Sequence, residues 1–413
     1  MSHKKIPFLL AFINFLSKFI YVFLLQYHRL PDFVKYLPYQ NHKRALALLE
    51  SGIVKFGNAW NSYYLPLAGQ YWFFKLLNIT DLIRTTILVN IFLSSISIFF
   101  LYKIALLLFN SKTAFITTIF AILYFPTTYL NLFILNENIF TPLLIISIYL
   151  LLTSHQKKSL KILFFAGITL GLTSSIRTIL LPFLPLVLFW NLKNIKKSKK
   201  AIKSTTILSL GMLIPIIFTM ILNYKFSHQR MFQLTSSTGI NVFITQCKYK
   251  RVDYKNPTNQ EEFWFSPPVF WKSSLPKITT STPFYHQSFY LKKGLQCLWR
   301  KPDNLTKNLS SIKNIFHSLI YPNLHMTPFV KLMFTISKIF ALLTAILFFL
   351  YPKITPSKTL KKTHYWLFFY LIISLFLSVY LANPGEERYL IPYTWIFFLF
   401  TPASLKALLE KKS

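Results

Sequence analysis

The sequence predicts an all-α polytopic membrane protein of about ten transmembrane helices, with an outer-face loop domain of about 100 residues. Three observations predict it. Apolar stretches long enough to cross a ~30 Å hydrocarbon core, at about 1.5 Å per helical residue, recur along the chain, in a composition that is 53% hydrophobic and 18% aromatic. Lys and Arg gather in the short loops on one side of the resulting topology, which marks that side as cytoplasmic. Acids do the reverse. Of the 11 acidic residues, Asp32, Glu50, Asp81, Glu137, Asp253, Glu261, Glu262, Asp303, Glu386 and Glu387 share the outer face, and Glu410 alone does not. A chain so poor in carboxylates, which collects them beside its longest loop, keeps some for chemistry at that surface.

The first apolar run, residues 6–26, follows the basic tip Lys4 and Lys5 and lacks a small-residue cleavage site. It reads as an uncleaved span with its amino end inside. Lys18 lies deep in it and has no assignment from sequence. An outer stretch follows, in which His42 to Ser51 (HKRALALLES) has the apolar spacing of a helix lying flat on the interface. Tyr63, Tyr64, Tyr71, Trp72, Phe73 and Phe74 come next, a density of aromatics suited to the headgroup level. Further spans are expected at 83–108, 113–130 and 138–153, the last closed by the cytoplasmic pair Lys157 and Lys158. The pair 161–175 and 178–192 is short for two spans and reads as a tilted or partly crossing hairpin. Six lysines between Leu192 and Ser204 precede the span at 205–223.

The loop at 225–328 carries many lysines, but its length exempts it from the charge rule, and parity places it outside. Rich in Trp, Tyr, Phe, Pro and Ser, it is too long for a connector and reads as a small α+β or irregular cap, with helices within 287–320. Asn304 and Asn308 fit the glycosylation pattern, one too short to carry weight. Cys247 and Cys297, the only cysteines, form either one disulfide in an oxidising compartment or two free, buried thiols. Spans at 329–351, 364–382 and 389–405 complete the chain, with Lys358, Lys361 and Lys362 inside before the ninth. The chain divides into residues 1–224, an N-terminal transmembrane module whose first outer loop carries Asp32, then an extracytoplasmic loop domain, 225–328, and C-terminal helices, 329–413. There is no internal repeat. The formal charge of +35 raises nucleic acid as a partner, but lysines beside spans fit anionic lipid headgroups, and no nucleic acid is expected.

Four places could carry chemistry. Asp32, in Asp32-Phe-Val-Lys-Tyr36, lies just above the first span; a carboxylate there can accept a proton from a hydroxyl or amine, or can simply cap a helix. Glu137 opens the fourth span from outside, where a helix N-terminus stabilises it and where it can also meet a substrate or metal. Arg177 interrupts an apolar stretch, and an arginine there faces a cavity, pairs with a carboxylate, reaches phosphate or snorkels to headgroups. Asn383-Pro-Gly-Glu-Glu-Arg-Tyr389 packs Glu386, Glu387, Arg388 and Tyr389 into the last outer turn. No nucleotide-binding loop, nucleophile elbow or paired Cys/His metal spacing occurs. His28, His42, His228, His286, His317 and His325 are outside but ungrouped, so no cofactor is implied and a divalent metal stays open as the one candidate.

In this order, the features resemble the polytopic GT-C glycosyltransferases, the superfamily of protein O-mannosyltransferases and bacterial lipid A aminoarabinose transferases. Asp32-x-x-x-Tyr36 looks like the first-loop acidic motif, followed by the interface helix ending Leu48-Leu-Glu-Ser-Gly52 and by Tyr64-Leu-Pro-Leu67. Phe125-Pro126 through Asn136-Glu137 looks like the next outer loop, Gly171-Leu-Thr-Ser-Ser-Ile-Arg177 is similar to the Gly-Leu to Arg segment, and Glu387-Arg-Tyr389 with Pro392 is similar to the C-terminal turn. Thr178 stands where proline is usual. The spacing from Asp32 to Leu48 is longer than typical, which leaves Gln40, Asn41 or His42 nearer the usual place of the base.

The resemblance implies a hexosyltransferase of the bacterial inner membrane and cell envelope, its active face outward. Its donor is a sugar on a polyprenyl phosphate, and its acceptor a lipid, glycan or protein. Asp32 is then the catalytic base, Arg177 and Arg388 bind the donor phosphate, and Glu137 and Glu387 bind acceptor or metal, with Tyr36, Tyr389 and His42 as further candidates. Two other readings stand beside it. A transporter or flippase of a lipid-linked glycan would show repeated halves and midplane charges, and a non-catalytic relative would keep only the fold.

Overall fold

A computed structural model describes residues 5–25, 37–51, 63–195, 198–226, 232–235, 238–247, 250–251, 263–266, 278–280, 287–300, 327–354, 362–382 and 389–410. The described residues of the ten apolar stretches are largely helical. The chain starts with α1 (Ile6–Phe19), which winds on as a π-helical turn through Leu25. The stretch that follows supplies α2 (Leu37–Ser51) and α3 (Tyr64–Leu76). Then come α4 (Leu82–Leu108), α5 (Ser111–Leu123), α6 (Phe125–Leu130), α7 (Glu137–Lys157), α8 (Leu160–Ile176), α9 (Phe183–Asn194) and α10 (Ser198–Phe226). After α11 (Thr238–Cys247) and α12 (Gln287–Arg300), the bundle closes with α13 (Pro328–Ile354), α14 (Lys362–Ala382) and α15 (Thr394–Glu410).

Among the described residues six helices are long and apolar enough to cross a membrane, at Ile6–Leu25, Leu82–Leu108, Glu137–Lys157, Ser198–Phe226, Pro328–Ile354 and His364–Leu381, with shorter apolar helices at Ser111–Leu123, Leu160–Ile176 and Thr178–Asn194. This is a multi-pass membrane protein. Its long helices are two-faced in a membrane sense, with large apolar side chains such as Phe8 and Phe12 of α1 or Ile217 and Phe218 of α10 pointing outward, where lipid takes the place of water. Their inward faces carry small or polar groups instead, Asn14 and Lys18 on α1 and Gly211 on α10.

One expected span divides. Tyr124 takes an extended conformation (ψ 91°) between α5 and α6, and Pro126 sits in the first turn of α6, where its missing N–H costs nothing. The hairpin of α7 and α8 turns on Lys158 in the left-handed region (φ 53°), after which Ser159 accepts the N–H of Ile162 and restarts the helix. α8 then lies against α10 with almost no gap. A Cβ on Gly167 would sit 2.5 Å from the Leu208 carbonyl oxygen, and one on Gly171 would collide with the Met212 carbonyl. Glycine here lets two backbones touch.

Outside the bundle, strands β1 (Lys250–Arg251), β2 (Phe263–Ser266) and β3 (Ile278–Thr280) pair antiparallel in that order. A disulfide joins Cys247 to Cys297, with their Cα atoms 5.2 Å apart, and clamps α11 to α12. The Gln246 side chain donates to the carbonyls of Tyr380 and Leu381 at 2.9 and 2.8 Å, which seats α11 on the end of α14. The helix expected within 287–320 is present as α12, and 301–320 lies outside the described residues.

Candidate functional site

Glu137 and Arg177 meet because the α7–α8 hairpin returns to its starting level. α7 has 21 residues and α8 has 17, so at about 1.5 Å per residue both reach roughly 25–30 Å from the Lys157–Lys158 turn. The N-terminus of α7 and the C-terminus of α8 therefore lie side by side. Helix dipoles favour an acid at the first end and a cation at the second, which is how the two residues are placed. The Arg177 backbone N–H still bonds the Thr173 carbonyl at 3.1 Å, while its extended φ and ψ (−144°, 104°) end the helix and redirect the chain.

The two side chains form an ion pair, Arg177 Nη2 to Glu137 Oε1, of 3.1 Å, with only 6% and 2% of each exposed. Arg177 Nη1 and Glu137 Oε2 are both buried without a hydrogen-bond partner among the described residues. The guanidinium lies over the Tyr389 ring at 4.4 Å and within 5.6 Å of the Phe140 ring, cation–π contacts that hold it in place. Tyr393 packs against Phe140, with ring centroids 5.8 Å apart. Burial first, then the charges of Tyr71 and Glu137, push the Tyr63 phenol well above its ordinary value, so the start of α3 stands within the field of the same carboxylate.

The segment between α1 and α4 reaches this place too. Asn41, on α2, donates to the Ile134 carbonyl at 2.8 Å, three positions before Glu137. His42 Nδ1 lies 2.8 Å from Tyr71 Oη, and burial lowers its imidazole below the usual 6.5. Arg44 donates to the Tyr64 hydroxyl and covers its ring. Of the aromatics expected at headgroup level, Trp72 and Phe73 are exposed, but Tyr63, Tyr64, Tyr71 and Phe74 are buried in the core. Helical spacing explains the split, since α3 turns one face inward.

A second polar cluster was not legible in the sequence. The Lys18 ammonium donates to Ser94 Oγ at 2.6 Å, Asn131 Oδ1 at 3.2 Å and Thr127 Oγ1 at 3.3 Å. Asn131 in turn donates to Asn138 Oδ1 at 2.8 Å, and Asn138 donates to the carbonyls of Phe133 and Leu130 at 2.7 and 3.1 Å. These partners are 76 to 113 positions from Lys18, and isolated Asn, Ser and Thr in apolar runs give no pattern that finds them. Lys18 and Glu137 line one narrow cleft of about 60 Å³.

Of the residues singled out by sequence, Glu137, Arg177 and Tyr389 come together, and His42 stands on the neighbouring helix. Asp32, Tyr36, Glu387 and Arg388 lie outside the described residues. Among the described residues no three His, Cys, Asp or Glu side chains group so as to hold a metal ion.

Residues 69–223 match the family model of the dolichyl-phosphate-mannose-protein mannosyltransferases. The match covers less than half of the chain and marks a likeness to membrane glycosyltransferases of the GT-C type. The matched stretch runs from within α3 to near the end of α10 and includes Asn131, Glu137 and Arg177; Lys18, Asp32 and His42 precede it, and Tyr389 follows. No curated protein matches the chain.

Proposed function

We propose that the protein transfers a hexose from a polyprenyl-phosphate donor to a lipid, glycan or protein acceptor on the extracytoplasmic face of a bacterial inner membrane. The buried Glu137–Arg177 pair carries this reading. Among the described residues each partner keeps one unsatisfied polar atom, so the guanidinium can still donate to a phosphate oxygen and the carboxylate can still accept from a hydroxyl. In this reading Arg177 and Arg388 hold the donor phosphate, and Tyr389 keeps the Arg177 guanidinium in register. Glu137, with Glu387, orients the acceptor. Asp32 takes the acceptor proton as its oxygen attacks the anomeric carbon in a single inverting displacement. Negative charge grows on the departing phosphate, and fixed guanidinium groups stabilise it more in the transition state than before it.

The ten-span topology and the outer cap of 225–328 belong to the same proposal. The Cys247–Cys297 disulfide supports an outward, oxidising location for that segment, and the lysines at the far end of the α7–α8 hairpin support a cytoplasmic one for theirs. The test uses purified protein in vesicles with a labelled polyprenyl-phosphate sugar and candidate acceptors, comparing wild type with Asp32→Asn. Glycosidic product from wild type and at least a hundredfold less from the variant is expected. Equal turnover would remove Asp32 as the base, and donor movement across the bilayer without a new glycosidic bond would replace the transferase with a transporter.

A further inference from the structure

Lys18, Glu137 and Arg177 are the buried charged side chains among the described residues. Glu137 and Arg177 neutralise each other. Lys18 does not share in that, because its three ammonium protons go to a serine, a threonine and an asparagine, all neutral. Neutral oxygens satisfy its geometry, and among the described residues no carboxylate pairs with it, an expensive state for a cation inside a membrane bundle. The cleft it lines has a polar strip, Thr127, Asn131 and Asn138 leading to Glu137, set against apolar walls that include Ile98, Leu101 and Phe398. A cation beside a greasy wall suits an anion carried on a lipid.

We infer that Lys18 binds the phosphate monoester of a polyprenyl phosphate, the lipid that sugar transfer leaves behind. This rests on the proposed transfer. The donor is a phosphodiester with one negative charge. When the acceptor oxygen bonds to the anomeric carbon, the bond from that carbon to the phosphate oxygen breaks and its electron pair stays on the phosphate, while the acceptor proton passes to the base. The released monoester carries close to a second charge at neutral pH, as phosphomonoesters do. Arg177 is already shared with Glu137, and Lys18 supplies a cation that no carboxylate among the described residues holds. Its attraction is therefore greatest for the charge that appears as the bond breaks.

The experiment measures binding, without any sugar, of polyprenyl phosphate, the neutral polyprenol, inorganic phosphate and phosphatidylglycerol to purified wild type, Lys18→Met and Lys18→Arg. Lys18→Met is expected to lose at least about tenfold in affinity for polyprenyl phosphate while holding polyprenol as before, and Lys18→Arg to keep most of the preference. Should Lys18→Met not fold, Ser94→Ala removes the shortest bond to the ammonium and leaves its charge, so preference for the phosphate should hold or rise; a fall overturns the site. Equal phosphate affinity in Lys18→Met also overturns it. Inorganic phosphate or phosphatidylglycerol binding as tightly as polyprenyl phosphate would overturn the lipid monoester as ligand. Lys18-dependent binding by a protein that transfers no sugar would keep the site and remove the transferase reading. Transfer with undiminished phosphate affinity in Lys18→Met would do the opposite.

Discussion

Removing one partner of the Glu137–Arg177 pair should cost far more than removing both. At 3.1 Å and an effective dielectric of about 20, the two charges attract by about 5 kcal/mol. Both side chains are almost wholly enclosed, so a single deletion strands the other charge, a loss of about 3–5 kcal/mol in comparable buried pairs. Glu137→Gln leaves the guanidinium with its cation–π contacts to Tyr389 and Phe140, while Arg177→Met leaves a carboxylate with no cation among the described residues. Arg177→Met should therefore be the worse of the two. The double variant Glu137→Gln/Arg177→Met should recover stability to within about 2 kcal/mol of wild type, since an uncharged pair of similar volume is often tolerated. Equilibrium unfolding in mixed micelles, run as a double-mutant cycle, reads the coupling directly. Single variants within about 1 kcal/mol of wild type, or strictly additive losses, would refute the buried pair.

Three more outcomes follow from other parts of the molecule. His42 is held neutral by burial below its ordinary 6.5, so the unfolded chain gains a proton that the folded one resists. Its contribution is full above that pH and fades below it, and thermal unfolding between about pH 8 and pH 5 should show a decline that His42→Phe blunts; equal slopes would contradict this. Gly171→Val would drive a side chain into the Met212 carbonyl and to 2.5 Å from Pro215 Cγ, costing at least about 1–3 kcal/mol and shifting Arg177; an unchanged melting temperature would contradict the close α8–α10 contact. Cys247→Ser opens a loop of sequence separation 50 and should destabilise the segment that holds α11 and α12 by about 4 kcal/mol on the chain-entropy model, measured as earlier proteolysis between α11 and α12; unchanged cleavage would contradict it.

Much of the helical framework was legible because a membrane span leaves an unambiguous trace, a run of apolar residues at least as long as the hydrocarbon is thick. The break at Arg177 shows how far that trace goes. The short runs at 161–175 and 178–192 are α8 and α9, separated by a single 3₁₀ turn at Thr178–Leu180 that Ser378 holds through the Ile179 carbonyl at 2.9 Å. Arg177 stands out in an apolar stretch, as does Glu137 in an acid-poor chain, and either can be marked from composition alone. That they pair with each other could not be read there, because both an ion pair and separate ligand contacts satisfy the same residue types. Lys18 was visible as an outlier but uninterpretable, since its partners come from α4 and from the segment around α6. The inward turn of Tyr63, Tyr64 and Tyr71 was missed for a related reason: aromatic clusters mark an interface and a core alike.

The central claim is that a polyprenyl-phosphate sugar reacts beside Arg177. Single-turnover release of polyprenyl phosphate from labelled donor, in membranes that retain the native acceptors, tests it most directly in wild type and Arg177→Gln, with folding checked on the same samples. The expected result is rapid, acceptor-dependent release by wild type and a loss of at least about a hundredfold in the variant, the scale of one lost oxyanion-type contact. Release at the wild-type rate by folded Arg177→Gln would contradict the claim.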